Sequence, residues 1–375
     1  MKKFLIVAHY SRFLVQFELS DVRILQDMGY EVHYATNYKG EGMHLHAEEI
    51  IRAHGVVLHQ IDFDRSPFNI FATRKAYRQL VELMRRENFS GLHCHTPTAG
   101  ALARLAAQSV GLKPVLYTAH GFHFFKGCPL KNRLIYETAE RLLARYTDAL
   151  ITINREDFQA AQSFCPRGSA YQVNGIGVDI ARIQRVEASR EALRREADIP
   201  QDAFVLFSIG ELIPRKNHIS AIRAFASANI PNSYYLICGG GKLMEELQRE
   251  IDRLGLTGRV RLLGYCENAY SLLRIADVFC FPSYQEGLPV ALMEAMAAGL
   301  PCIASRIRGN VDLMPESQFL FAPDNVDTLS QFILRCAHED MSLEVENNAR
   351  NLVPFGINAV AEQMREIYST QLGQQ

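Results

Sequence analysis

The chain of 375 residues lacks three features that would place it in other protein classes. No apolar run approaches the ~20 residues that a membrane-spanning helix needs. The eight cysteines are scattered without a Cys-x-x-Cys pair and several lie in apolar runs, so free thiols in a reducing cytoplasm are expected. The net charge of −1 shows no excess of basic residues of the kind that nucleic-acid-binding proteins carry.

Glycine is missing from the turn after the first predicted strand, where the chain reads His9-Tyr10-Ser11-Arg12-Phe13. A dinucleotide-binding fold needs Gly-x-Gly-x-x-Gly at that turn, so the pattern disfavours that class. Charge differs between the halves. Residues 1–180 hold 21 basic and 17 acidic side chains (+4), and residues 181–375 hold 19 and 24 (−5). The basic bias suits an anionic ligand or surface near the N-terminal half.

Short β-rich runs alternate with helical patterns in both halves, which predicts parallel sheets covered by helices. The rhythm stops between Asp179 and Gln201, where a charged segment is expected to connect two domains. We therefore predict an α/β fold of two Rossmann-like, doubly wound domains, residues 1–180 and 200–355, facing each other across a cleft. The substrate is expected at the carboxyl ends of the strands, and helix 356–375 is expected to return to the first domain.

Two basic residues follow a predicted strand of the second half. Phe204–Ile209 ends at Gly210, and Arg215-Lys216 lies in the loop or helix start beyond it. Arginine offers a fork of donors and lysine a point charge, so the pair suits a diphosphate. A solvated basic turn is the alternative.

Two glutamates stand in an otherwise apolar and small-residue run, residues 284–299. Glu286 is predicted in the loop after strand Val278–Pro282, and Glu294 in the first turns of helix Val290–Ala298. Glu294 could accept both hydroxyls of a ribose, and Glu286 could bind sugar hydroxyls. The alternative is that Glu286 caps the helix and Glu294 is exposed.

The segment Glu286-Gly-Leu-Pro-Val-Ala-Leu-Met-Glu294 resembles the signature of retaining glycosyltransferases of family 4, two glutamates separated by seven residues. Gly210 with Arg215-Lys216-Asn217 resembles their donor-diphosphate site, and Gly239-Gly240-Gly241 their glycine-rich turn. The resemblance implies the GT-B fold and extends over nearly the whole chain.

The resemblance also implies roles. Glu294 would hold the ribose of a nucleotide-sugar, a UDP-sugar, and Arg215 and Lys216 its diphosphate without a metal or other cofactor. Glu286 would bind the transferred sugar. The remaining residues that it assigns to the substrate are Gly210, Asn154 and the backbone around Gly287, Leu288 and Pro289.

His120 follows the predicted strand Val115–Thr118, and the family has a histidine there that orients the donor sugar. A lone histidine is more often structural. His93 and His95 flank Cys94 and could be mistaken for metal ligands, but further ligands at suitable spacing are missing, so no metal site is predicted.

Residues 122–133 interleave aromatic and basic side chains, which suits a bilayer interface or a lipid-linked diphosphate. A surface loop with buried aromatics is the alternative. With the following helix, the segment resembles bacterial exopolysaccharide or capsule glycosyltransferases, which extend a sugar on a polyprenyl diphosphate at the cytoplasmic membrane. Family members often have Gly-Gly after the first strand, whereas Ser11 and Arg12 here could meet an anionic acceptor.

The prediction is thus a retaining glycosyltransferase, cytoplasmic or peripheral at the inner face of the plasma membrane. It would move a sugar from a UDP-sugar to a lipid-linked saccharide. Two alternatives remain. A nonhydrolysing nucleotide-sugar epimerase shares the fold but would need acid and base carboxylates. A noncatalytic binding partner would not need Arg215, Lys216, Glu286 and Glu294 intact.

Overall fold

The computed structural model describes residues 1–39, 45–64, 69–267 and 269–373, and the chain divides into two compact units. The first unit consists of Met1–Gly177 and Ile357–Gln375, and the second of Val178–Gly356. The C-terminal helix therefore belongs to the first unit. Residues 374 and 375, at the end of the helix predicted from the sequence, lie outside the described residues.

The first unit contains a seven-stranded parallel sheet in the order β3-β2-β1-β4-β5-β6-β7. The order reverses between β1 and β4, and such a switch point is where doubly wound sheets bind ligands, beyond the carboxyl ends of the strands. The strands are β1 (Lys2–Tyr10), β2 (Tyr30–Asn37), β3 (Val57–Gln60), β4 (Leu92–His95), β5 (Val115–Ala119), β6 (Ala149–Thr152) and β7 (Ala170–Gln172).

The second unit contains a six-stranded parallel sheet in the order β10-β9-β8-β11-β12-β13, with its switch point between β8 and β11. The strands are β8 (Phe204–Ile209), β9 (Ser233–Cys238), β10 (Val260–Gly264), β11 (Val278–Phe281), β12 (Cys302–Ser305) and β13 (Leu320–Phe321). Two parallel sheets with helices confirm the predicted α/β fold class.

Helices connect the strands of both sheets. Those of the first unit are Ser11–Phe13, the π-helical turn Leu14–Glu18, Leu19–Asp27, Leu45–Ala53, Ile70–Glu87, Pro97–Val110, Leu130–Leu143, the 3₁₀ turn Ala144–Tyr146, Arg155–Gln162 and Ile357–Leu372. Those of the second are Ile180–Gln184, Arg190–Glu196, Pro214–Lys216 (3₁₀), His218–Ala228, Met244–Arg253, Ala269–Ile275 (3₁₀), Val290–Ala297, Asn310–Leu313, Val326–His338, Ser342–Leu352 and Val353–Phe355 (3₁₀).

Strand β1 shows why these runs form buried strands. Leu5 and Val7 belong to the apolar cluster on one face of the sheet, and Phe4 and Ile6 to the cluster on the other. A strand that is covered on both faces needs a continuous apolar run rather than alternation.

The charged segment predicted to connect two domains is part of the second unit, where it forms two short helices. Its Arg194 is 1% exposed and donates to the carbonyls of Gln201 and Ala203 and to the carboxylate of Asp277, each at 2.8 Å. A guanidinium whose N–H groups all have acceptors can be buried. The sequence shows only that the residue is charged and does not reveal this burial.

Candidate functional site

The two predicted cations meet one predicted carboxylate in the second unit. Arg215 and Lys216 lie on the 3₁₀ turn after β8, and Glu286 lies in the loop after β11. The Oε1 of Glu286 is 3.0 Å from the Nη1 of Arg215 and 2.8 Å from the Nζ of Lys216. Arg215 also donates to the carbonyl of Gln285 at 2.8 Å. Arg215 and Lys216 are therefore both ion-paired at the switch point of the sheet; Lys216 is 14% exposed, and Arg215, at 40%, also faces solvent.

Asn217, which follows the basic pair, connects the segments after β11 and β13, a role that the sequence did not reveal. It adopts a left-handed conformation at φ 54° and is 2% exposed. Its side-chain amide donates to the carbonyl of Pro282 at 3.1 Å and to that of Pro323 at 3.0 Å. Asparagine tolerates the left-handed conformation better than most residues. An asparagine directly after Arg215-Lys216 could therefore have indicated a tight turn at this position.

Gly210 and the glycine-rich turn approach each other closely. A Cβ at Gly239 would lie 1.9 Å from the carbonyl oxygen of Gly210, and one at Gly241 would lie 2.5 Å from that of Leu212. Only glycine permits this approach, which keeps the backbone after β8 beside that after β9. Gly210 also contacts the site, since a Cβ there would meet the Cδ of Lys216 at 3.3 Å.

The segment Gly287-Leu288-Pro289 leads directly into helix Val290–Ala297. Pro289 is the N-cap and no side chain caps this end, so Glu286 is not a capping residue. The Nε of Arg308, another residue that sequence reasoning missed, donates to the carbonyl of Glu286 at 2.9 Å. This contact fixes the backbone beside the ion-paired carboxylate.

Glu294 lies one turn into the same helix and is partly buried. Burial raises its pKa to about 7, and the positive charge of Arg182 opposes that rise. The carboxyl group therefore changes charge near neutral pH, whereas an exposed glutamate would ionise at lower pH. The apolar neighbours of Glu294 in the sequence had already suggested burial.

His120 directly follows β5 in the first unit, and 22% of its side chain is exposed. Its Nε2 lies 3.3 Å from the Nδ1 of His95 and 3.4 Å from the Oε1 of Glu18. Glu18 ends the π-helical turn after β1, and His95 ends β4. These three side chains therefore meet at the switch point of the first sheet.

The acids beside His120 were not found from the sequence. Glu18 and Asp21 are each 4% exposed, and within the described ranges neither has a lysine or arginine partner. Burial raises the pKa of Glu18 to about 8, although its hydrogen bond with Asp21 lowers it. Burial and the charge of Glu18 raise the pKa of Asp21, and burial lowers that of His120 to about 4. The cluster thus favours uncharged forms near neutral pH.

Glu18, His95 and His120 also deserve a test as a metal site, because one ligand atom from each lies within 4.8 Å of the others. Metal-bound histidines donate their second ring N–H to a carboxylate, carbonyl or water. The Nε2 of His95 is buried without such a partner. The arrangement fits hydrogen-bonded neutral groups better than a metal centre.

The other predicted substrate residues of the first unit lie at strand ends. Ser11 and Arg12 form a short helix directly after β1, and Ser11 is buried. Asn154 caps helix Arg155–Gln162 by accepting from the N–H of Asp157 at 2.8 Å. Asp157 in turn accepts from the N–H of Phe122 at 3.0 Å. Asn154 therefore supports the segment that follows His120.

The predicted aromatic and basic surface differs from expectation. Phe122 and Phe124 are core residues, 3% and 7% exposed, as the buried-aromatic alternative has it. The helix Leu130–Leu143 exposes several apolar side chains, among them Leu130, Leu134 and Ile135 at 77%, 70% and 52%. Within the described ranges, no helix combines the length and apolar character required to cross a membrane.

The chain is similar to known proteins over nearly its whole length. Residues 4–154 match the family model "Glycosyl transferase 4-like" and residues 189–352 match "Glycosyl transferases group 1". The putative glycosyltransferase EpsD of Bacillus subtilis is 33% identical over 382 residues, which cover 99% of this chain and 97% of the relative. The chain belongs to the glycosyltransferases.

A second relative in this glycosyltransferase family has a more specific name. The UDP-Gal:alpha-D-GlcNAc-diphosphoundecaprenol alpha-1,3-galactosyltransferase of Escherichia coli is 29% identical, over 78% of this chain and 79% of its own. Among solved structures, Anabaena HepE in complex with UDP and glucose is similar with a TM-score of 0.81 at 18% identity, covering 99% of this chain and 100% of HepE. Sucrose-phosphate synthase from Thermosynechococcus elongatus is similar with a TM-score of 0.80 at 17% identity, covering 100% of both chains. The glycosyltransferase therefore has the GT-B fold.

Proposed function

We propose that this glycosyltransferase moves a hexosyl group from a UDP-sugar to a lipid-linked saccharide with retention of anomeric configuration. The observation that carries the proposal is the meeting of Arg215, Lys216 and Glu286 within 3.0 Å at the switch point of the second sheet. Two cations and one carboxylate on adjacent loops match the two halves of a sugar diphosphate.

Donor binding would exchange the partners of these three side chains. Arg215 and Lys216 would turn from Glu286 to the diphosphate oxygens, where they stabilise the charge that grows on the departing UDP. Glu286 would then accept from hydroxyls of the transferred sugar. No metal or other cofactor is needed for this step, because the two cations supply the positive charge.

The rest of the donor would lie along the following helix. Glu294 in its ionised form would accept both ribose hydroxyls, and backbone amides around Gly287, Leu288 and Pro289 would approach the anionic group. Gly210 would leave room for the phosphates. His120 of the first unit would orient the transferred sugar, and the acceptor oxygen would attack from the face that UDP leaves.

The first unit would bind the acceptor, a saccharide on a polyprenyl diphosphate as in exopolysaccharide or capsule synthesis. The name of the Escherichia coli relative, which contains a diphosphoundecaprenol acceptor, supports this class. Ser11 and Arg12 after β1 would meet the anionic acceptor, and Asn154 would contribute near His120. Leu130, Leu134 and Ile135 would form a peripheral contact with the cytoplasmic face of the membrane.

The test is a screen of UDP-sugars by UDP release, with and without a polyprenyl-diphosphate saccharide acceptor. Acceptor-dependent release with one donor is expected, and the anomeric proton of the product should show the configuration of the donor. UDP-sugar interconversion without acceptor would instead identify an epimerase. UDP binding without turnover of any donor would identify a noncatalytic partner.

A further inference from the structure

A chain of hydrogen bonds connects the buried acids of the first unit and ends at Glu18, whose Oε1 lies 3.4 Å from the Nε2 of His120. The Oγ1 of Thr118 lies 2.7 Å from the Nε2 of His93, and the Nδ1 of His93 lies 2.6 Å from the hydroxyl of Tyr368. That hydroxyl donates to the Oδ2 of Asp21 at 2.9 Å, and Asp21 is hydrogen-bonded to Glu18. The chain thus runs from Thr118 to the carboxyl group that faces His120.

The direction of the chain follows from its members. Tyr368 donates to Asp21, so its oxygen is free to accept from the Nδ1–H of His93, whose Nε2 then accepts from Thr118. Asp21 can donate to Glu18 only as a carboxylic acid. Each group therefore donates to the next, and Glu18, itself protonated, is left with an O–H directed at His120.

The hydrogen bonds of His95 are compatible with the same tautomer of His120. Its Nε2 is buried without a partner, and its Nδ1 lies 3.3 Å from the Nε2 of His120. A buried N–H without an acceptor is rarer than an acceptor without a donor, so the proton of His95 belongs on Nδ1. With its proton on Nδ1, His95 can donate to the Oε1 of Glu18, 3.5 Å away, which leaves the one lone pair of the Nε2 of His120 to accept from the O–H of Glu18 and places the proton of His120 on its own Nδ1.

We propose that Glu18 is a positioning residue that, as a carboxylic acid, donates to the Nε2 of His120 and holds His120 as the Nδ1–H tautomer. His120 then offers one N–H donor to a hydroxyl of the transferred sugar. The contact with the sugar rests on the proposed function, whereas the tautomer does not. Burial keeps Glu18 protonated up to about pH 8, in agreement with this role.

Ionisation of Glu18 would remove the donor, so turnover should fall as pH rises through about 8. The other titratable groups around Glu18 come from every neighbouring element: Asp21 on helix Leu19–Asp27, Tyr34 on β2, His93 and His95 on β4, His120 after β5 and Tyr368 on helix Ile357–Leu372. Burial holds the phenols well above this range and His93 and His120 well below it.

The first experiment reads the tautomer directly. In the full-length protein labelled with ¹⁵N-histidine, two-bond ¹H–¹⁵N correlations at pH 7 should show His120 with a protonated Nδ1 and a bare Nε2. A protonated Nε2 would overturn the proposal whether or not the protein transfers sugar. Sugar transfer with the wrong tautomer would refute this inference alone.

The second experiment compares pH profiles of kcat at saturating donor. Glu18→Gln can accept from Asp21 and donate to His120, but it cannot ionise. It should keep activity within about threefold and lose the decline above pH 8. Glu18→Met should lower kcat at least tenfold with unchanged affinity for UDP, and Glu82→Gln, an exposed control, should keep the wild-type profile. An unchanged alkaline decline in Glu18→Gln would overturn the proposal, even if Glu18→Met fails to fold.

Discussion

Glu286 and Glu18 lie at equivalent places, beyond the carboxyl ends of strands at the switch points of their sheets, yet their surroundings are opposite. Glu286 has two cations within 3.0 Å. Glu18 faces two histidines and a second carboxyl group, and burial raises its pKa to about 8. The same side chain is an ion-paired carboxylate in one unit and a carboxylic acid in the other.

The difference teaches how each unit can treat a sugar diphosphate. A diphosphate is bound best by permanent positive charge. The second unit has this charge on Arg215 and Lys216, where Glu286 neutralises part of it. Sugar hydroxyls need donors and acceptors of fixed direction, which the uncharged chain of the first unit would supply through His120 in the proposed function.

The largest effect is expected from Glu286→Ala. Loss of the carboxylate should lower turnover at least about 100-fold, because in the proposed function Glu286 is the acceptor that positions the sugar hydroxyls in the transition state. Binding of UDP should be largely unchanged, since UDP carries no transferred sugar. Turnover follows from UDP release and binding from calorimetry.

The matched control is Glu316→Ala, which removes an exposed glutamate of the same unit. It should leave both quantities at the wild-type value. Unchanged turnover in Glu286→Ala would show that this carboxylate is not part of the reaction.

A smaller effect is expected from the ionisation of Glu294. Its pKa is raised to about 7, so the carboxylate that we propose as the acceptor for ribose is present above pH 7 and is lost as pH falls through that value. Affinity for uridine, which carries no phosphate to titrate, should therefore rise up to about tenfold between pH 6 and pH 8.

Glu294→Gln supplies the comparison for this pH dependence. Its amide cannot ionise, so the affinity for uridine should be low and flat over the same range. A parallel rise in wild type and variant, measured by calorimetry, would mean that another group is responsible.

The smallest effect on function should come from Tyr368→Phe. Its hydroxyl serves Asp21 and His93, and its loss leaves both buried groups short of a partner, so the free energy of unfolding should fall by about 1–3 kcal/mol. UDP affinity should not change, because Tyr368 belongs to the first unit.

Chemical denaturation measures the loss of stability. Tyr171→Phe is the matched control, since it removes a half-buried hydroxyl that accepts from Gln371 at 3.0 Å, and it should cost less. Equal losses in the two variants would mean that the buried chain adds nothing beyond an ordinary hydrogen bond.

Sequence reasoning predicted the site of the second unit because its residues follow strands of one parallel sheet. Apolar runs located β8 and β11, and parallel strands bring their following loops to one edge, so Arg215, Lys216 and Glu286 could be expected together. Element ends were less certain. Helix Ile70–Glu87, for example, begins where it does because the side chain of Asn69 caps it by accepting from the N–H of Ala72.

The buried cluster of the first unit could not be predicted in the same way. Glu18 and Asp21 stand in a stretch that reads as an ordinary amphipathic helix. Their surroundings depend on contacts distant in sequence, such as that between His93 and Tyr368, which are 275 positions apart. Short-range patterns carry no information about such pairs. The burial of Arg194 could not be predicted for the same reason, since its partner Asp277 is 83 positions away.

UDP binding by Lys216→Met measures the central claim most directly, that the cations paired with Glu286 bind the diphosphate of the donor. Calorimetry should show affinity about 10- to 100-fold weaker than wild type, the loss of one charge-assisted contact. Arg249→Ala, an exposed cation of the same unit, should bind UDP as wild type does. Wild-type affinity in Lys216→Met would contradict the account.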